Sequence, residues 1–244
     1  MPQGPENLLL ASLVAGGWRL PESEMEAVPL PLGEPIHIRD GGGAGRITFV
    51  DEGVVSLVMH DEAGRPAEVG TVGREGLVGV PLLLGATVTP YTAFVQIAGR
   101  GRRVDYPTFR RWCEDDPAFR ETISRYVYFR LLLSYQNTAC NALHTAEQRV
   151  ARWLLMTTRR TSPRFALKQD YLAMMLGVRR ATVSVVCAGL KQQGLIDYSR
   201  GMVLVRDVPG LMRLSCSCFA AFDEFHRSLI AEAVPSPASP AVAL

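Results

Sequence analysis

The sequence predicts an α+β chain: a run of short antiparallel strands, one long helix, and a compact C-terminal unit of short helices closed by a hairpin. Three observations carry that reading. Between Met25 and Asp105, β-branched and aromatic runs alternate with turn residues, the texture of an antiparallel barrel or sandwich. From Pro117 the apolar period switches to steps of three and four, and no Gly or Pro interrupts it until Pro163. Farther on, Phe165 to Arg206 holds two amphipathic segments cornered at Gly177, then two β-runs around Arg200-Gly201. A length of 244 residues, 48% hydrophobic and 20% charged, suits two modest globular domains.

A short helix opens the chain, with Asn7 as N-cap ahead of Leu8 to Leu13. Strand-like runs follow at Ile36–Ile38, Ile47–Val50, Val54–Met59 and Thr92–Ile97, separated by Gly41–Gly45, Asp51-Glu52-Gly53, Asp61–Gly64 and Gly99-Arg100-Gly101. The Gly41–Gly45 run lacks the Lys-Ser/Thr and following helix of a phosphate cradle, because Arg46 leads into a strand; a hairpin loop is expected. Asp115 or Asp116 caps the long helix and Pro117 fits its first position. Along Ala118–His144, Phe119, Ile123, Tyr126, Leu133, Asn137 and Cys140 recur at helical spacing. A helix so long has more apolar surface than one small domain covers, so pairing with a second copy is expected, with Asn137 able to set register. A second helix begins near Thr145, buries Val150, Trp153, Leu154 and Met156, and ends at Thr161-Ser162-Pro163. The expected division is 1–116 (strand domain), 117–145 (dimerisation helix), 146–233 (C-terminal domain) and 234–244, a Pro/Ser-rich tail expected to be disordered.

Several function classes receive no support. No stretch approaches the roughly 20 apolar residues of a membrane span, and Met1 to Leu10 has no basic region of a secretory signal, so the cytoplasm is the default address. Cysteines 113, 140, 187, 216 and 218 are odd in number, which fits reduced thiols rather than a disulfide framework. Cys216 and Cys218 have no second Cys or His pair close in sequence, so no metal site is expected. His37, His60, His144 and His226 are scattered, giving no support for haem. No zinc-protease spacing, G-x-S-x-G elbow or kinase signature occurs, and neither an enzyme nor catalytic residues are predicted.

Charge is polarised. Residues 1–145 carry 13 Arg against 17 carboxylates, whereas residues 146–213 carry 12 basic residues against 4 acidic ones. Within that basic block, Lys168–Leu176 reads as a short helix turned inward through Leu172, Ala173, Met175 and Leu176. Gly177 suits the left-handed turn, Val178 plugs it, and residues 179–191 form a second helix anchored by Val183, Val186, Cys187 and Leu190. This is a helix-turn-helix, and Leu195–Ser199 with Met202–Val205 make a two-stranded wing. Arg179, Arg180, Thr182 and Ser184 lie on the exposed start of the second helix, where Arg forks match guanine and hydroxyls suit phosphates. Lys168, Gln169 and Arg200 are assigned to the DNA backbone. The leading expectation is a sequence-specific regulator; the alternative is a ligand-binding module that works through protein contacts.

In order of parts the chain resembles the Crp/Fnr family of bacterial transcription regulators, most specifically through Ala146–Leu154 and Leu176–Ser184. The resemblance implies a jelly-roll β-barrel sensor of the cyclic-nucleotide-binding kind, a dimerisation helix and a winged helix-turn-helix. Double-stranded DNA, a second copy, RNA polymerase and a small-molecule effector are then the candidate partners. The family's R-E-T-V-x-R reader becomes Arg180-Ala181-Thr182-Val183-Ser184-Val185, implying a different operator. Where cyclic-nucleotide binders carry G-E and R-[ST]-A, this chain has Gly79-Val80 and Tyr91-Thr92-Ala93. Without the phosphate Arg and ribose Glu, cyclic-nucleotide binding is not expected. No Cys precedes Cys113, so the N-terminal iron–sulfur cluster of the oxygen-sensing branch is not supported.

Overall fold

The computed structural model describes residues 6–38, 44–86, 88–89 and 91–233; most of the Gly41–Gly45 loop and the 234–244 tail lie outside them. Helix α1 (Leu8–Ala15) starts at Asn7, whose side chain accepts from Leu10 N–H. The same buried amide donates to Val50 O at 2.7 Å and Gly76 O at 2.8 Å, pinning the helix to the sheet. After a 3-10 turn at Glu22–Glu24 come β1 (Glu26–Leu30), β2 (Pro35–Ile36), β3 (Arg46–His60), β4 (Pro66–Val72), β5 (Leu77–Val78), α2 (Val80–Leu83) and β6 (Thr92–Asp105).

These strands form one antiparallel sheet of order β1-β6-β3-β4, with β2 on β6 and β5 on β3. Among the described residues neither this sheet nor the smaller C-terminal one closes, so the expected jelly-roll barrel is corrected to an open six-stranded sheet. Strands β1 and β4 end the path unpaired with each other, and β4 meets helices instead. The strands are also longer than the sequence suggests. Asp51-Glu52-Gly53 and Gly99-Arg100-Gly101 are not turns but bulged stretches inside β3 and β6, where Glu52 opposes Arg100. Gly53 sits at φ 98°, and a Cβ on Gly99 would fall 1.9 Å from Glu52 O, so glycine permits the backbones to meet as the strands bend.

Helix α3 (Tyr106–Asp115) is capped by Asp105, and α4 (Pro117–Leu143) by Asp116, which accepts from Ala118 and Phe119 N–H. One face of α4 buries Phe119, Ile123, Tyr126, Phe129, Leu133 and Cys140. Tyr126 OH donates to Leu77 O and accepts from Leu77 N–H, both at 3.0 Å, locking α4 on the sheet. Asn137, expected on an intermolecular seam, instead accepts from Arg152 Nη2 at 2.8 Å within its own chain. A capping box of Thr145 and Gln148 starts α5 (Ala146–Arg160). Beyond it lie β7 (Arg164–Ala166), α6 (Gln169–Leu176), α7 (Arg180–Gln192), β8 (Ile196–Ser199), β9 (Met202–Val205), α8 (Val208–Leu214) and α9 (Cys218–Ala233). Strands β7, β9 and β8 form a three-stranded sheet, one strand more than the expected wing. Among the described residues no single helix is long and apolar enough to cross a membrane.

Candidate nucleic-acid interface

Helices α6 and α7 meet at a bend of 109°, within the range of a helix-turn-helix. The corner needs Gly177, which sits at φ 59° and ψ 35°, a left-handed conformation costly for a residue with Cβ. Val178 N–H then donates to Ala173 O at 3.0 Å. Leu172, Ala173, Met175 and Leu176 hold α6 from below, and Val183, Cys187 and Leu190 hold α7. Burial pushes the Cys187 thiol up to about 11, so it acts as a packing group.

The opposite side of α7 is open. Arg179, Arg180, Thr182 and Ser184 are all exposed, as are Lys168 and Arg200. Arg180 Nε lies 3.2 Å from Asp170 Oδ1, with both side chains about two-thirds exposed (67% and 68%). Such a pair adds little stability, but it holds the guanidinium over the start of α6. Ser184 Oγ donates to Gln169 Oε1 at 2.6 Å, tying the two helices together again. Leu167 N–H donates to Gly201 O at 2.8 Å, which sets Lys168 beside the wing turn. Arg179, Lys168 and Arg200 have no ion pair among the described residues.

One surface feature escaped the sequence reading. Val185 is 73% exposed, and Ala181 and Ala188 beside it are exposed as well. By sequence, Val185 registers only as a lost arginine; its four-residue step from Ala181 was the available signal of a shared apolar stripe. Such groups can contact thymine methyls in the major groove.

The basic block, by contrast, overstates the charge available to a polyanion. Arg149, Arg152 and Arg160 are 9%, 7% and 2% exposed. Arg149 donates to Asn141 Oδ1 and Leu176 O, and Arg160 pairs with Glu75 at 2.6 Å in full burial. Arg160 ties α5 to the sheet domain through Thr71 and Glu75, whereas Arg149 and Arg152 tie α5 to α4 and α6. Beside them lies a cavity of about 740 Å³ bounded by β4, α4, α5 and α6, whose wall includes Val80, Tyr91, Arg130 and Met175. Within this wall, burial pushes the Tyr91 hydroxyl up to about 12.

A helix-turn-helix with a β-wing and an exposed cationic start to its second helix defines a winged DNA-binding protein, here joined to a sheet domain by a long helix. Residues 148–214 match the Crp-like helix-turn-helix domain, and the chain as a whole is similar in architecture to Crp/Fnr-type transcription regulators, a sensor-like domain followed by that module. It is 24% identical over 221 residues to a CRP-like cAMP-activated global transcriptional regulator of Mycobacterium tuberculosis, covering 86% of this chain and 94% of that one. Its fold is similar to that of FixK2 from Bradyrhizobium japonicum, with a TM-score of 0.66, 19% identity, and coverage of 79% of this chain and 98% of that one. A CRP-family transcriptional regulator from Thermus thermophilus matches with a TM-score of 0.62 and 21% identity over 77% of this chain and 96% of that one.

Proposed function

We propose that two copies of this chain bind a two-fold operator, each laying α7 in one of two successive major grooves about 34 Å apart. The open N-terminal half of α7 carries this reading. Arg179 and Arg180 are assigned to guanine edges or adjacent phosphates, Thr182 and Ser184 to phosphates, and Lys168, Gln169 and Arg200 to the backbone. Support for pairing comes from α4, where Tyr128, Leu131 and Tyr135 are 67%, 46% and 63% exposed. Their steps of three and four make an exposed apolar stripe along α4, with Leu131 at the edge of the cavity. The cavity touches sensor strands, α4 and α6 together, so a small molecule lodged there would bear on how α7 is carried. Its mostly apolar wall fits an apolar effector better than a cyclic nucleotide.

Binding to random duplex across a salt series separates this from the protein-contact alternative. A regulator binds weakly and loses affinity steeply with salt, as condensed counterions are released. On a selected operator, Arg180→Ala is expected to cost about 1–3 kcal/mol and relax one base preference. Equal loss on all sequences would make Arg180 a phosphate contact; salt-insensitive binding would remove the DNA assignment altogether.

A further inference from the structure

Cys140 and His144 stand one turn apart at the end of α4, and Cys216 and Cys218 flank the turn from α8 into α9. In sequence the pairs look unrelated; Cys140 and Cys216 are 76 residues apart. In the fold, one ligand atom from each of the four lies within 4.8 Å of every other. Cys140 Sγ is 3.5 Å from Cys216 Sγ, and Cys218 Sγ is 3.6 Å from His144 Nδ1. A tetrahedral zinc with Zn–S near 2.3 Å and Zn–N near 2.0 Å has ligand-to-ligand edges of about 3.4–3.8 Å. The four donors are therefore already gathered at close to that spacing.

The surroundings match a closed centre. The three cysteines are 1%, 4% and 5% exposed and pack against one another, while His144 is half-buried. Three thiolates around a divalent ion leave one negative charge, which needs a buried cation nearby. Arg152 supplies it: 7% exposed, it gives one nitrogen to Asn137 and leaves its buried Nε without a partner. Its guanidinium also lies beside Cys140. A simple disulfide would use two of these four groups and explain neither His144 nor Cys218.

We propose that Cys140, His144, Cys216 and Cys218 hold one structural zinc ion that pins the end of α4 to the α8–α9 turn. Four protein ligands leave no open position, so the ion is architectural rather than catalytic, and thiolates select zinc over harder cations. All four ligands lie outside the matched 148–214 stretch, two on either side of it, and the assignment does not depend on DNA binding. The ion clamps the place where the long helix hands over to the C-terminal domain, since α4 and α9 also stack through Phe129 and Phe225 at 3.6 Å.

Elemental analysis of the full chain, purified reduced and without chelators, is expected to give one zinc per chain. Cobalt(II) added to the stripped, reduced protein should develop the strong visible bands of a tetrahedral thiolate site, saturate at one equivalent and bleach on addition of zinc. Cys216→Ser and Cys218→Ser should lose that spectrum, while Cys113→Ser, remote from the cluster, should keep it. Since ligand variants can misfold, the wild-type cobalt titration stands as the primary reading. Wild-type protein that takes up neither ion stoichiometrically overturns the site, as does a Cys140–Cys216 disulfide in its place or a cobalt spectrum unchanged in both variants.

Discussion

At Arg200 the backbone adopts φ 50°, and it is the only non-glycine with positive φ among the described residues. With Gly201 at φ 75° it forms the type of two-residue hairpin turn in which Asn or Gly is favoured at the first position. An Arg there costs about 1 kcal/mol relative to glycine, and nothing in the fold offsets it: the side chain is exposed and unpaired. The cost is understandable if the guanidinium meets a phosphate. Arg200→Gly is therefore expected to raise thermal stability slightly while weakening DNA binding on every sequence. The slope of log affinity against log salt should fall by about one for each copy bound, about two for the paired complex. A melt paired with a salt-titrated binding series checks both signs, and unchanged affinity would take the wing tip off the DNA.

Helix α4 shows how far periodicity reaches. Its buried residues, Phe119, Ile123, Tyr126, Leu133 and Cys140, were legible because packing along one side of a helix imposes helical spacing. The second stripe, Tyr128-Leu131-Tyr135, was not, because a helix apolar on two sides does not say which side meets its own sheet. Asn137 went astray for that reason: it sat on the legible stripe but bonds Arg152 inside the chain. The helix-turn-helix read more faithfully since Gly177, its anchors and its exposed Arg residues are all local in sequence. Long strands read less well, as bulges at Gly53 and Gly99 imitate turns. If the exposed stripe is the dimer seam, Leu131→Glu with Tyr135→Glu should give a folded monomer. Sedimentation would report the halved mass and circular dichroism the intact helices. Operator affinity should drop by at least about a hundredfold once the second half-site is no longer linked; a dimer surviving both charges would place the seam elsewhere.

Across the whole molecule, the C-terminal domain is joined to the sheet by groups far apart in sequence, which is why the junction was invisible there. Glu75 and Arg160 are separated by 85 residues and almost fully buried, 1% and 2% exposed, and the Arg160 guanidinium lies 4.8 Å from the Phe222 ring centre. Burial works against the Glu75 carboxylate, yet Arg160 outweighs it and holds the group below its ordinary 4.5. Removing one partner leaves the other charge stranded, so Arg160→Ala should cost about 3–5 kcal/mol in a urea melt. His226 is 4% exposed and is held below its ordinary 6.5, mainly by burial and further by Arg160, Arg159 and Arg74, with Glu75 opposing. Below pH 6.5 the unfolded chain binds a proton at this position that the folded chain refuses, so stability falls as pH drops from 6.5 toward the folded value. The Glu75 contribution, fully present above 4.5, is lost only at lower pH, as the pH falls through its own folded value. Acid titration of stability is therefore expected to descend in two stages, and His226→Gln should flatten the first while leaving the second. Stability that stays level from about pH 6.5 to about pH 5 in the native chain would mean that His226 takes up its proton in place, and that water or a shifted Glu75 reaches a site the packing closes.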